Sequence, residues 1–182
     1  MPKRFPLFPA NRLAQDLLLN AAGARSARQF GDSELVAKFT TAMHAASANP
    51  ARLEIEVTES MLISNVEHPI RVLRAFEALG MSIALDDFGT GYSNLAYLQR
   101  FPIHTLKIDK TFIQGLAADK PLAELIVAMC RLMKLSIVAE GVETLAQQQW
   151  VVEHKIEQYQ GYLFSRPLPV PAFDQLLART AT

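Results

Sequence analysis

From Leu53 onward the chain alternates short apolar runs with longer stretches whose apolar residues recur at helical spacing. Leu53–Val57 reads as a strand, with Ile55 and Val57 β-branched. Ile70, Leu73, Phe76 and Leu79 predict a helix over Pro69–Leu79, ended by Gly80. The same reading gives strands at Met81–Leu85, Thr105–Ile108, Ser136–Ala139 and Tyr159–Phe164. Helices are expected at Ser93–Leu98, Leu122–Leu135, Leu145–Val152 and Pro171–Ala178. Strands alternating with helices predict parallel β-α units in series, as a doubly wound sheet or a β/α barrel. The strands carry no GxGxxG or Walker-type loop, which weakens the nucleotide-fold alternative.

Polar residues at the strand ends favour the barrel. Glu56 and Glu59 close the first strand, Asp86-Asp87 follow the second, and Lys107 and Asp109 end the third. Glu140 and Glu143 follow the fourth, and Gln160 lies in the fifth. A barrel brings all strand C-termini to one face, where such side chains converge. A lone acid at a strand end is most often a helix N-cap. The adjacent pair Asp86-Asp87 is different, because neighbouring carboxylates repel and a cation is the usual reason to hold them together.

Glu56, Asp86, Asp87 and Glu140 are hard oxygen ligands with no cysteine nearby. Oxygen-only ligation favours Mg²⁺ or Mn²⁺ over Zn²⁺. Two such ions about 3.5–4 Å apart form the standard clamp for in-line attack on a phosphodiester, and Asp86 and Asp87 could serve both. Lys107 would neutralise charge growing on the phosphoryl oxygens. His44, His68, His104 and His154 are scattered and read as surface or capping groups, and Trp150 as packing.

Composition narrows the classes. The 182 residues suggest one domain, and 50% hydrophobic residues suffice for a core. Lys plus Arg and Asp plus Glu number 18 each, which offers no general basic field for DNA, RNA or an anionic membrane. No apolar run approaches the roughly 18 residues of a membrane span. Cys130, the single cysteine, cannot form an internal disulfide and reads as a buried apolar residue in a cytoplasmic protein. Met1–Arg4 has the charge of a signal sequence, but Arg12 and Asp16 interrupt any apolar stretch behind it.

Five segments, taken in order, resemble the successive signatures of the EAL domain. They are Leu53–Ser60 (LEIEVTES), Asp86–Ser93 (DDFGTGYS), Leu106–Asp109 (LKID), Val138–Glu143 (VAEGVE) and Gln160–Tyr162 (QGY). The resemblance covers about residues 26–180, with residues 25–182 as the EAL-like domain and 1–24 unmatched. It implies a TIM-like barrel, incomplete on its N-terminal side, of a family that hydrolyses cyclic di-GMP to pGpG with two Mg²⁺ or Mn²⁺. By position, Glu56, Asp86, Asp87 and Glu140 match the metal ligands, and Lys107, with Asp87 and Glu140, the catalytic groups. Gln160 and Glu143 are assigned to substrate contact, and Glu59 matches the residue that steadies the loop after the Asp pair.

The departures set the remaining expectations. Nothing in the first twenty residues matches the family's Glu-Ala-Leu strand. The literal Glu77-Ala78-Leu79 is a decoy at the end of the Pro69–Leu79 helix. The family has an Asn two residues before a stretch like Ser26-Ala27-Arg28-Gln29-Phe30, where this chain has Ala24; Asn20 would serve only with an insertion. The spacing from Lys107 to Glu140 is also short, which suggests a trimmed loop near Ala117–Pro121. Hydrolysis is therefore expected to be absent or very slow, the alternatives being a non-catalytic cyclic-di-GMP-binding or protein-interaction module, or a gene remnant sustained by oligomerisation. An unpaired barrel edge predicts a homodimer or larger, with Ser93–Phe101 as a candidate contact.

Overall fold

A computed structural model describes residues 33–59, 67–89, 98–117 and 120–180. Five strands are present among them: β1 (Glu54–Thr58), β2 (Ser82–Phe88), β3 (Thr105–Ile108), β4 (Ser136–Ala139) and β5 (Gln158–Tyr159). They are hydrogen-bonded in chain order, and every pairing is parallel. The helices are α1 (Leu35–Ala45), α2 (Glu67–Ala78), α3 (Lys110–Gln114), α4 (Lys120–Leu132), α5 (Leu145–Glu153) and α6 (Val170–Thr180). Sequential parallel strands joined by helices are the arc of a β/α barrel, as the strand–acid–helix rhythm predicts.

Side-chain alternation sorts the sheet into two faces. On β1, Ile55 and Val57 are buried, while Glu54, Glu56 and Thr58 share the opposite, partly open face. Ile83, Leu85, Leu106 and Ile108 continue the apolar face and join Leu73 and Phe76 of α2 and Val127 and Cys130 of α4 in one core. A fully buried aliphatic or aromatic side chain of this kind contributes about 1.5–3 kcal/mol. Cys130 is fully buried, and burial pushes its thiol up to about 12, in keeping with an inert apolar role. Trp150 is buried and stacks on His154 at 4.2 Å, and its packing role holds.

The structure adds two helices to the sequence reading and corrects two strand ends. Helix α1 lies upstream of where the pattern was read; Leu35, Val36, Phe39 and Met43 do recur at helical spacing, and Phe39 meets Phe76 edge-on at 5.3 Å. Helix α3 is short and has only Ile113 buried, so it carries almost no apolar period. The second strand runs on through the Asp pair to Phe88 instead of ending at Leu85. The fifth strand ends at Tyr159 instead of Phe164, because residues 161–164 turn: the Phe164 and Ser165 amides both donate to the Gly161 carbonyl.

The stretches 1–24, Ser26–Phe30 and Gly91–Ala96, together with Ala118 and Asp119 of the short loop, lie outside the described residues. Of the candidate contact Ser93–Phe101, Leu98 and Phe101 are buried in the core, so neither offers its side chain to a partner. Glu77 sits near the end of α2, where its carboxylate meets His104 at 3.4 Å. No helix among the described residues is long and apolar enough to cross a membrane.

Candidate metal and phosphodiester site

Because the strands lie in chain order, each delivers one polar group to a common mouth. Glu56 comes from β1, Asp86 from β2, Lys107 from β3, Glu140 from the residue after β4, and Gln160 from the residue after β5. Lys107 is buried, and its Nζ lies 2.9 Å from Glu56 Oε1, 3.1 Å from Asp86 Oδ1 and 2.7 Å from Glu140 Oε1. Burial alone would lower the lysine's proton affinity. Glu140, Glu56 and Asp86 outweigh it and hold the ammonium well above the ordinary lysine value. Gln160 Nε2 donates to the same Glu140 oxygen that Lys107 meets.

A β-bulge explains how two successive carboxylates reach one side. Leu85 pairs with Leu106 and Phe88 with Ile108, so β2 has one residue more than β3 across that interval. Asp87 takes up the extra length in the left-handed region, at φ 54°. In a flat strand Asp86 and Asp87 would face opposite ways. Here oxygens of Asp86, Asp87 and Glu140 all lie within 4.8 Å of one another. Sequence reading found the pair but placed it beyond the strand, because a bulge leaves no mark in hydrophobic periodicity.

The chemistry of this threesome fits a divalent cation. Asp86 Oδ1 is buried and has no hydrogen bond; its approach to Lys107 is within ion-pair distance but lacks hydrogen-bond geometry. Glu56 meets the threesome through Lys107. Glu59 is buried and its Oε2 accepts from the Gly89 amide at 3.4 Å, tying β1 to the turn after the Asp pair. Glu143 stands apart from the acid cluster: it is exposed, and its carboxylate accepts from Gln114 of α3. Asp109 is the N-cap of α3, accepting from the Thr111 amide at 2.8 Å. His104 and His154 approach Glu77 and Glu124, carboxylates outside the cluster, and His104 Nδ1 accepts from the Ile83 amide.

Burial, then Asp86 and Asp109, raise the Asp87 carboxyl above its ordinary value, with Lys107 and Lys110 opposing. Burial also raises Glu140; Lys107 opposes it, and Asp86 and Glu56 add to the rise. An acid raised on folding holds its proton more tightly in the folded state, so its contribution to stability falls as pH climbs through that window. A divalent cation competes with those protons. A divalent cation such as Mn²⁺ is expected to bind more weakly as pH falls toward the ordinary carboxylate range near 4, with the weakening setting in above that range. Calorimetric affinities that stay constant as pH falls would exclude the competition.

The EAL-domain family model matches residues 12–167. The chain belongs to the EAL family. The match reaches upstream of residue 24 and takes in all five signature segments. The cyclic di-GMP phosphodiesterase NbdA of Pseudomonas aeruginosa is 44% identical over 154 residues, which are 83% of this chain and 20% of that protein. The chain thus spans about a fifth of the length of the curated relatives it matches first. Among solved structures, a cyclic-di-GMP complex of the phosphodiesterase PaMucR, whose name is that of a Pseudomonas aeruginosa protein, superposes with a TM-score of 0.76 at 38% identity, covering 87% of this chain and 69% of that one. A manganese and cyclic-di-GMP complex of Klebsiella pneumoniae BlrP1 gives 0.69 at 34% identity, covering 76% and 36%. The five parallel strands are accordingly part of a TIM-like barrel of the EAL type.

Proposed function

We propose that this EAL domain binds cyclic di-GMP with the help of Mg²⁺ or Mn²⁺, and that its hydrolysis of the ligand to pGpG is absent or slower than about 1 s⁻¹. The observation that carries this reading is the threesome Asp86, Asp87 and Glu140 beside the buried Lys107. A bound divalent cation supplies charge neutralisation and Lewis-acid polarisation of the phosphodiester. In this reading Asp86, Asp87 and Glu140 hold the ion, with Glu56 completing the family's ligand set. Lys107, fixed by three carboxylates, presents positive charge to the phosphoryl oxygens. Gln160 orients Glu140 and contacts substrate, Glu59 steadies the turn at Gly89, and Glu143 meets the ligand at the outer rim. A cytoplasmic setting, where Cys130 stays reduced, is part of the proposal.

Slow turnover is supported by a departure from the family pattern within the chain: Ala24 stands where the family has an Asn. Binding without turnover, the non-catalytic alternative, is the limit of this reading. Calorimetry with cyclic di-GMP, with and without Mn²⁺, and chromatography for pGpG test it together. Mn²⁺-dependent heat with little product is the expected result. No heat under either condition overturns the binding, and turnover at about 1 s⁻¹ or faster overturns the rate.

Homo-oligomerisation belongs to the same proposal. Leu122, Leu125 and Leu132 of α4 are 41%, 64% and 87% exposed, apolar surface that a second copy would remove from water. Sedimentation at micromolar concentration is expected to give more than the 20.2 kDa monomer mass, and a monomer would reject the idea.

A further inference from the structure

Residues 160–166 fold into a compact rim beside the acid cluster. Gln160 reaches the cluster through Glu140. The backbone around it is tied to the turn after β4, with the Val142 amide donating to the Gln160 carbonyl at 3.1 Å and the Leu163 amide to the Val142 carbonyl at 3.0 Å. Tyr162 follows Gln160 by two residues, so their Cα atoms are at most about 7 Å apart. Tyr162 is 54% exposed although the backbone on both sides is pinned. The turn at residues 161–164 brings Arg166 back over the tyrosine ring, with the guanidinium carbon 4.7 Å from the centroid. Pro167 restricts the backbone of Arg166 as well.

The guanidinium makes no hydrogen bond or ion pair among the described residues; its partner is the aromatic face. A guanidinium laid on a tyrosine keeps its planar fork of donors open at the edge. The neighbouring site gathers four carboxylates, Glu56, Asp86, Asp87 and Glu140, around the buried Lys107. A phosphodiester ligand entering such a site gains from fixed positive charge at the rim. A planar fork adds a second capacity: it pairs with guanine O6 and N7 together, whereas adenine offers a donor at the first of these positions.

We infer that the Tyr162–Arg166 stack is a guanine-reading element at the rim of the site, with Arg166 donating to one base edge of the bound dinucleotide and Tyr162 holding the guanidinium in plane. This rests on the cyclic-di-GMP reading above and deepens it by naming residues that set base specificity. Neither residue belongs to the cation cluster, so cation binding and base reading separate on mutation.

The test compares cyclic di-GMP and cyclic di-AMP on the full chain and on Arg166→Ala, Arg166→Lys, Tyr162→Ala and Tyr162→Phe, by calorimetry with Mn²⁺ present. Arg166→Ala is expected to weaken cyclic di-GMP by about 5- to 150-fold, the range for losing one bidentate base contact. Cyclic di-AMP should change far less, and Mn²⁺ affinity measured alone should not move. Lysine should fail to restore the preference, since it is a point charge without the fork. Tyr162→Phe should keep it, and Tyr162→Ala should lose much of it. Unchanged cyclic-di-GMP affinity in Arg166→Ala overturns the inference, and so does an equal loss for the two dinucleotides, which would mean charge attraction without base reading. If the parent chain binds neither dinucleotide, the cyclic-di-GMP reading itself fails, a result distinct from either of these.

Discussion

Replacing Lys107 with methionine is expected to destabilise the cation-free protein by about 3–5 kcal/mol near neutral pH, the range for removing one member of a buried charge cluster. Methionine fills much the same volume but leaves Glu56, Asp86 and Glu140 facing one another without the ammonium that lies 2.7–3.1 Å from each. The sign of the pH dependence follows from the lysine's raised value. A base raised on folding contributes fully below its unfolded value of 10.5 and loses that contribution only as pH rises through the higher folded one. The whole penalty therefore shows at pH 7. It should shrink at acid pH, where the raised Glu140 carboxyl takes up its proton and loses its charge. Mn²⁺ should recover more stability in the variant than it adds to the parent, because the cation then takes the ammonium's place among the carboxylates. Urea unfolding of both proteins at neutral and at acid pH decides the matter. Equal midpoints at neutral pH would show that the cluster does not depend on Lys107.

Gly161→Ala is expected to remove about 3 kcal/mol or more, enough to unfold a marginal domain. A Cβ on Gly161 would lie 2.2 Å from the Val142 carbonyl oxygen and 2.4 Å from its nitrogen. These are backbone atoms, so no rotamer change can relieve the overlap. Relief would require the Gln160–Leu163 segment to leave Val142, which breaks the hydrogen bonds that hold both the Gln160 contact and the rim. Gly115→Ala is the natural control, because a Cβ there meets nothing within 4 Å. That change should be neutral or stabilise by up to about 1 kcal/mol. A Gly161→Ala protein whose thermal midpoint matches that of Gly115→Ala would show that the close approach is not part of the folded state in solution.

Much of this architecture is legible in residue order. The apolar runs around Ile55, Ile83, Leu106 and Ile137 announce four strands, because each must present one face to the helices. The polar residues beyond them announce the mouth, since a barrel leaves their side chains nowhere else to converge. What sequence reading misses is local geometry. It ends β2 at Leu85 because Asp86 and Asp87 are poor strand formers, yet a bulge keeps them in the ladder. It extends β5 to Phe164 because the run looks apolar, yet Gly161 turns the chain onto Val142. It groups Glu143 with Glu140 on proximity alone, although three positions along a turn take one carboxylate to Gln114 and leave the other on Lys107. Asp109 shows the bland rule succeeding: an acid after a strand, used as a helix cap.

The left-handed backbone at position 87 makes that site a sieve on its own replacements before any chemistry is asked of them. Asparagine shares aspartate's tolerance of this conformation, and glycine enters it freely. Alanine pays roughly 1–2 kcal/mol there, and β-branched residues fare worse. A saturation library at 87 selected only for folding should thus return Asp, Asn and Gly first. Any further narrowing to Asp under selection for function would measure what the carboxylate does, free of what the bulge demands.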